Sequence, residues 1–352
     1  MPDISNRKGD HIDLAVSGDV GFHNTTTLFE CVRLVHNALP ELSYDEVQLG
    51  TSVLGKRLSA PILIAAMTGG AERAEKINCE LAEIAEERGY AFGLGSQRAM
   101  LKNPALRSSY DVRRVAPSVL LLGNIGIVQA TQMSSAELQD MVGSIGADAL
   151  CVHLNPAMEL VQPEGDRDFR DGLTTLARLT AELGHPIIVK ETGCGISAEV
   201  AQKIRALGVA HVDVSGAGGT SWVAVETHRA KEDQKELGQA FWEWGIPTAA
   251  SVALVGQHGF ATVFATGGVQ SGLDIAKAIA LGANVGGIAR PVLQALAQAG
   301  PPGARRFLER TEQQLRTAFL LTGARNAQQL RRVPRVIVGE LERWLSVFPP
   351  LT

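Results

Sequence analysis

Aromatic side chains make up only 5% of this 352-residue chain, and no window approaches the roughly 18 consecutive apolar residues that a membrane span needs. Its four cysteines, Cys31, Cys79, Cys151 and Cys194, lie far apart without a CxxC pair. That spacing argues against a disulfide framework and a structural zinc site, and fits reduced thiols in a cytoplasm. An excess of either charge is also missing: 33 basic against 37 acidic residues leave −4, so neither nucleic acid nor a membrane surface is favoured as a partner. No charged start followed by an apolar run marks a leader, and a cytoplasmic location is the simplest expectation. What the chain does have is 45% apolar residues and 37 glycines, against an average glycine usage of about 7%. Aliphatic side chains must fill the core, and many backbone positions must be turns or close approaches.

After a polar, irregular-looking opening of about 60 residues, short aliphatic runs alternate with polar or Gly-rich turns and helix-period segments. Eight runs are expected as strands: Ile62 to Ala66, Ala91 to Gly95, Val119 to Leu122, Ala149 to His153, Ile187 to Lys190, His211 to Val214, Thr262 to Ala265 and Val285 to Ile288. Continuous apolar character suits strands covered on both faces, and strand–helix repetition means a parallel sheet. An open doubly wound sheet and a closed (β/α)8 barrel both accept the rhythm; eight runs favour the (β/α)8 TIM barrel. The expected organisation is an N-terminal extension over 1–60, the barrel over 61–325 and a C-terminal helical tail over 326–352. The connection Gly216 to Gln257 is long and holds Trp222, Trp242 and Trp244, which predicts an insertion between strands six and seven, beside the site or at a subunit contact.

Barrel chemistry sits at the carboxyl ends of the strands. The first run leads into Met67-Thr68-Gly69-Gly70, the second into Ser96-Gln97-Arg98, the third into Gly123-Asn124 and the fourth into His153-Leu154-Asn155. The fifth ends at Lys190-Glu191, the sixth leads into Ser215 to Ser221, the seventh into Thr266 to Gly272 and the eighth into Ala289-Arg290. Singly each reads as an ordinary turn; eight in register point to one mouth. The last two loops suit a phosphate, because glycine backbone N–H groups and a helix N-terminus approach an anion closely, with Ser215 and Thr220 as further donors. Lys190 closes a β-branched strand, where a charge must be paired or face the mouth; there it could stabilise a developing anion such as a reduced flavin ring. Glu191 is the simplest partner, although adjacent strand residues point to opposite faces. His153 and Asn155 share a face; the alternative for the histidine is a core residue satisfied by backbone. One carboxylate of the acidic stretch 158–168 could carry Mg²⁺ for a diphosphate. The basic cluster Arg7-Lys8-Gly9-Asp10-His11 reads either as a solvated tail or as a cover over the mouth.

Taken together, these residues resemble the type 2 isopentenyl diphosphate isomerases, FMN-dependent (β/α)8 enzymes of isoprenoid biosynthesis. The resemblance runs from Arg7 to about Arg325. It rests on Arg-Lys-x-Asp-His at 7–11, Ala-Met-Thr-Gly-Gly at 66–70, Gly-Ser-Gln-Arg at 95–98, Asn124, His-Leu-Asn at 153–155, Pro-Glu-Gly-Asp at 163–166, Val-Lys-Glu at 189–191, Asp-Val-Ser-Gly-Ala-Gly-Gly-Thr-Ser-Trp at 213–222 and Thr-Gly-Gly at 266–268. It implies FMN contacts from Ala66, Met67, Thr68, Ser96, Asn124, Lys190, Ser215, Thr220, Gly267, Gly268, Val269, Gln270, Ala289 and Arg290. It further implies substrate contacts from Arg7, Lys8, His11, Ser96, Gln97, Arg98, His153, Asn155 and Met158, and Mg²⁺ on Glu159. The implied reaction is a 1,3 allylic proton shift from isopentenyl to dimethylallyl diphosphate, run by reduced FMN with NADPH as the usual reductant. The flavin itself would serve as acid and base, with His153, Asn155 and Gln162 as helpers. A homotetramer or homo-octamer is the usual assembly of such barrels.

One departure stands out: the family commonly has Gln immediately before the metal-binding Glu, and here that residue is Met158, with Gln162 four residues on. The favoured expectation is that the amide is dispensable; replacement by Gln162 is an alternative. Rival readings are an FMN-dependent 2-hydroxy acid oxidase or dehydrogenase, which would need a His/Arg pair absent after the sixth run, and a non-catalytic flavin-binding barrel. Cys194, the one candidate for a loop nucleophile, reads most simply as a small residue in a tight turn.

Overall fold

The computed structural model describes residues 4–347; the side chains of Arg7 and Lys8, and the segment Phe348-Pro349-Pro350, lie outside what it describes. Eight parallel strands form a closed barrel: β1 (Ile62–Ile64), β2 (Ala91–Gly93), β3 (Leu120–Gly126), β4 (Ala149–Leu154), β5 (Ile187–Glu191), β6 (His211–Asp213), β7 (Thr262–Ala265) and β8 (Val285–Ile288). Each expected run holds one strand. Closure is made by β8, which pairs with β7 through Phe264–Val285 and with β1 through Gly287–Leu63. Interior residues such as Leu63, Leu120, Leu122, Ile188, Phe264 and Val285 form one buried cluster, and a larger one joins the outer faces to the helices. Both faces of every strand are therefore covered, which is why the runs read as continuously aliphatic.

The structure departs from the sequence reading at both ends. The opening is not irregular: a helix α1 spans Ile4–Ser17, its Ile12 is buried, and its Gly18 N–H donates to the Leu14 carbonyl. Gly9, Asp10 and Asn6 are poor helix formers, so local propensity gives little warning of it, and tertiary contacts hold it in place. The tail is not wholly helical either. Arg335–Ile337 pairs antiparallel with Val32–Leu34, tying the end of the chain to its beginning. Between β6 and β7 the extra length forms two helices, Trp222–Arg229 and Glu232–Ala240, before Thr248–Val255, which is buried along all eight residues. Among the described residues no helix is long and apolar enough to cross a membrane.

At the amino end of the barrel, away from the mouth, Asp148 binds three elements at once. Its carboxylate takes Lys56 Nζ at 2.9 Å, Arg113 Nη2 at 2.8 Å and the Leu121 N–H at 2.8 Å. Burial opposes the charge, yet those donors outweigh it and hold the Asp148 carboxyl below its usual range. A lowered folded value contributes stability above the ordinary carboxylate pKa that is lost as acid protonates the folded state. Asp148→Ala is expected to cost about 2 kcal/mol in denaturant unfolding at pH 7, since it strands two cations and an amide. The difference from the parent should shrink below about pH 4, where the parent loses the same charge.

Candidate active site

Two adjoining cavities open at the carboxyl ends of the strands. The larger, about 450 Å³, is lined by Ala66, Met67 and Thr68 after β1, Ser215 and Gly218 to Thr220 after β6, Thr266 to Gln270 after β7, and Ala289 and Arg290 after β8. That volume lies within the range of small-molecule and cofactor sites. The smaller, about 110 Å³, is lined by Ser96, Arg98, Asn124, Gln129, His153, Asn155, Met158, Glu159 and Gln162. His11, Ala66, Met67, Lys190, Thr192 and Trp222 border both.

The larger cavity fits a phosphate-bearing flavin. Thr68 Oγ1 is buried at its wall without a hydrogen-bond partner, an arrangement that is costly unless a ligand completes it. Gly287 on β8 also borders it, and a Cβ there would come within 2.5 Å of Thr266 Cγ2. Gly268 has φ +70°, and a Cβ on it would strike Thr27 Cγ2 at 2.4 Å. That glycine is therefore needed to seat the N-terminal extension beneath the loop, besides leaving backbone open to a phosphate. The helical segment Arg290–Leu321, broken by a kink at Ala299 and Gly300, begins at the same wall, where its first N–H groups lack intrahelical acceptors.

Lys190 stands where the cavities meet. Its ammonium donates to the Glu191 backbone carbonyl and lies 3.9 Å from the buried Asp213 carboxylate. Burial pushes Asp213 up, and the Lys190 charge with the Thr266 hydroxyl, 2.7 Å away, pulls it back. The Glu191 side chain is not the partner. It turns to the other face, as strand alternation requires, and accepts the N–H groups of Thr192, Gly193 and Cys194. Burial pushes Glu191 up to about 7 against those three donors. Cys194 sits in this turn with its thiol driven upward by burial, which suits a structural residue rather than a nucleophile.

In the smaller cavity Asn124 donates to the Leu94 carbonyl at 3.0 Å, so its Oδ1 faces His153 Nδ1 at 2.8 Å. That orientation makes Nδ1 the protonated nitrogen. The Asn124 side chain is thus one of the groups that hold the His153 ring. Glu159 accepts Asn155 Nδ2 at 2.9 Å and the Asp166 N–H at 2.8 Å. Asp166 in turn takes Gln129 Nε2 at 2.7 Å and Arg98 Nη1 at 3.4 Å. Among the described residues no cluster of three or more His, Cys, Asp or Glu side chains is placed to hold a metal. Glu159, the carboxylate in the lining of the smaller cavity beside Arg98, is the kind of ligand that Mg²⁺ takes singly when phosphate oxygens and water fill its other positions.

Helix α1 roofs both cavities. His11 hydrogen-bonds the fully buried Glu226 at 2.9 Å and stacks edge-on against Trp222. Arg290 donates to the carbonyls of Ala15 and Gly18, and Gln294 to that of Val16. The basic cluster therefore belongs to a cover, and its helix passes over the mouth. Of the residues assigned to FMN by resemblance, all line the larger cavity except Ser96 and Asn124, which line the smaller. Of those assigned to substrate, Gln97 is displaced: it is fully buried behind the wall, accepting the Asn124 N–H at 2.9 Å, and borders neither cavity. A position next to Ser96 and Arg98 in sequence points to the opposite side of the chain here. Gln129, Thr192 and Asp166 were not singled out; Gln129 sits on the short helix Ile127–Thr131 with no motif to mark it.

The chain is 44% identical over 349 residues to an isopentenyl-diphosphate delta-isomerase of Thermococcus kodakarensis, spanning 97% of this chain and 93% of the relative. It is 45% identical to that of Methanothermobacter thermautotrophicus, spanning 97% and 96%, and 49% identical to that of a Synechococcus strain, spanning 84% and 86%. The chain belongs to the isopentenyl-diphosphate delta-isomerase family. Residues 157–335 also match the family model of the FMN-dependent dehydrogenases, which supports FMN as this isomerase-family protein's cofactor. Mandelate oxidase structures superpose with TM-scores of 0.63 and 0.64 at 19% identity; one carries a monooxide FMN adduct. The first spans 93% of this chain and 95% of the oxidase, the second 94% of each, and at that identity the likeness is one of fold.

Thr68→Val should leave the FMN-free protein as stable as the parent, because the hydroxyl has no protein partner to lose. It should weaken FMN binding by about tenfold, read from quenching of flavin fluorescence.

Proposed function

We propose that this protein interconverts isopentenyl and dimethylallyl diphosphate by a 1,3 allylic proton shift, with reduced FMN in the larger cavity and the Mg²⁺-bound diphosphate in the smaller. The observation that carries the reading is the shared wall. Lys190, Met67 and Trp222 border both cavities, so a five-carbon chain anchored on one side reaches a ring seated on the other. Reduced flavin, when bound, supplies acid and base at its ring nitrogens, so the reaction needs no net redox change.

The chain's own residues provide position and charge. Thr68, Ser215, Thr220, the loop Gly267 to Gln270, Ala289 and the backbone of Arg290 hold the cofactor, with Ser96 and Asn124 at its substrate-facing edge. The Lys190 ammonium, fixed by Asp213, stabilises negative charge on the reduced ring. Arg98, Arg7, Lys8 and His11 bind diphosphate oxygens, and guanidinium geometry suits them in pairs. Glu159 carries Mg²⁺, and Asn155 and the Asp166 N–H orient its carboxylate. His153 and Asn155 hold the substrate near the wall, while Trp222 and helix α1 exclude water.

The reductant of the bound flavin would be NADPH, admitted at the same mouth. The exposed pair Phe241 and Trp244, 5.7 Å apart on the insertion, suits contact between subunits of a homotetramer or homo-octamer. Dispersed thiols suit a cytoplasmic location. A 2-hydroxy acid oxidase reading lacks support, because the loop Ser215 to Thr220 offers no titratable side chain to take a proton or hold a carboxylate.

Anaerobic incubation with FMN, NADPH, Mg²⁺ and isopentenyl diphosphate in D₂O should place deuterium in dimethylallyl diphosphate. Recovery of unlabelled isopentenyl diphosphate beside intact reduced flavin would sink the proposal. Lys190→Ala should lower turnover by about a hundredfold or more with Mg²⁺ dependence unchanged. Glu159→Ala should instead raise the Mg²⁺ requirement with flavin binding intact.

A further inference from the structure

Gln162 is a polar side chain whose partner is missing. The residue is only 4% exposed and borders the smaller cavity, and its amide, which takes no hydrogen bond from the described residues, stays within reach of water through that cavity. Its backbone is fully engaged: the N–H donates to the Met158 carbonyl at 2.9 Å, and the carbonyl accepts the Gly165 N–H at 3.0 Å. The loop therefore pins Gln162 in place while leaving its amide directed at the cavity. An amide that borders a cavity with no protein partner exchanges water for a ligand acceptor without first breaking a bond within the protein.

Its neighbours indicate the ligand. Gln162 follows the helix Pro156–Val161 and lies one turn from Met158, so the two side chains share the face that carries Glu159's cavity. Met158 Sδ receives only a long contact from Asn155 Nδ2, at 3.9 Å, and offers no donor of its own. Arg98, Gln129 and His11 also line the cavity, and these donors around the Glu159 carboxylate suit an anionic headgroup, while Met67, Met158 and Trp222 supply apolar wall for a hydrocarbon chain.

We propose that Gln162 is a substrate-binding residue, its amide N–H donating to the diphosphate beside Glu159, and that it supplies the donor which Met158 does not. This rests on the isomerase reading above. It replaces the expectation that a donor on this helix is dispensable: the amide stays in use and enters from one turn later. Met158 then contributes only apolar packing near the chain of the substrate.

The test uses the FMN-loaded enzyme and reads affinity separately from turnover. Gln162→Leu should raise KM for isopentenyl diphosphate by about tenfold while kcat falls less. Calorimetric binding of inorganic diphosphate with Mg²⁺ to the oxidised holoenzyme should weaken by a similar factor, with FMN affinity and Tm unchanged. Met158→Gln alone should change KM less than threefold, but combined with Gln162→Leu it should restore most of the lost affinity. A Gln162→Leu enzyme with parental KM and parental diphosphate affinity overturns the proposal. So does a loss that Met158→Gln leaves unrepaired while Tm drops, since that is the signature of a packing role. Absence of isomerisation by the parent enzyme would instead count against the isomerase reading, while the diphosphate titration would still decide the role of Gln162.

Discussion

Closure of the sheet between β8 and β1 is the constraint on which the rest depends. The strand Val285-Gly286-Gly287-Ile288 must hydrogen-bond on both edges while its glycines leave room for Ile275 outside and Thr266 inside. Once that seam forms, eight parallel strands present their carboxyl ends on one side, and the loops after β1 and β8 become neighbours despite lying more than 200 residues apart. The larger cavity is assembled from those loops with the ones after β6 and β7. An open sheet with the same strands would place Thr68 and Ala289 at opposite edges, and no single pocket could use both.

The second requirement is a roof, and charge–dipole and aromatic contacts hold it together with the burial of Ile12 in the core. Arg290 holds the carboxyl end of helix α1 by donating to two of its terminal carbonyls, groups that lack partners within the helix. The insertion meets the same helix from the other side through Trp222, Glu226 and Arg229, the last paired with Asp10 at 3.2 Å. Arg290 thus joins the cofactor wall to the element bearing the basic cluster. That link ties the wall of the larger cavity to the helix that roofs both cavities, although the two sets of residues lie at opposite ends of the chain.

Much of the barrel could be read from residue order because each strand is covered on both faces and writes its burial as an uninterrupted aliphatic run. Polar residues at the ends of those runs marked the mouth for a related reason: a buried sheet tolerates Lys190, Asn124 or His153 only where something faces them. The readings that went astray concerned directions and partners. Gln97 sits between two residues that border the smaller cavity, yet strand and turn geometry send its side chain into the wall. Helix α1 was hidden by Gly9, Asp10 and Asn6, whose weak propensity is overridden by contacts with residues beyond position 220. Gln129 carried no motif, and Asp166 closed a recognised one without a role assigned to it, since their importance comes from meeting each other and Arg98 across some forty to seventy residues.

Sequence by itself determined the eight strands of the barrel, their parallel order, the glycine-rich loops and the family to which those motifs belong, because periodicity and local chemistry are properties of neighbouring residues. Tertiary structure alone decided that Lys190 pairs with Asp213 and not Glu191, that Arg290 grips helix α1, and that the Gln162 amide faces the site without a partner. Those outcomes depend on which side chains converge from different strands at one end of a closed barrel. No local pattern along the chain encodes that convergence.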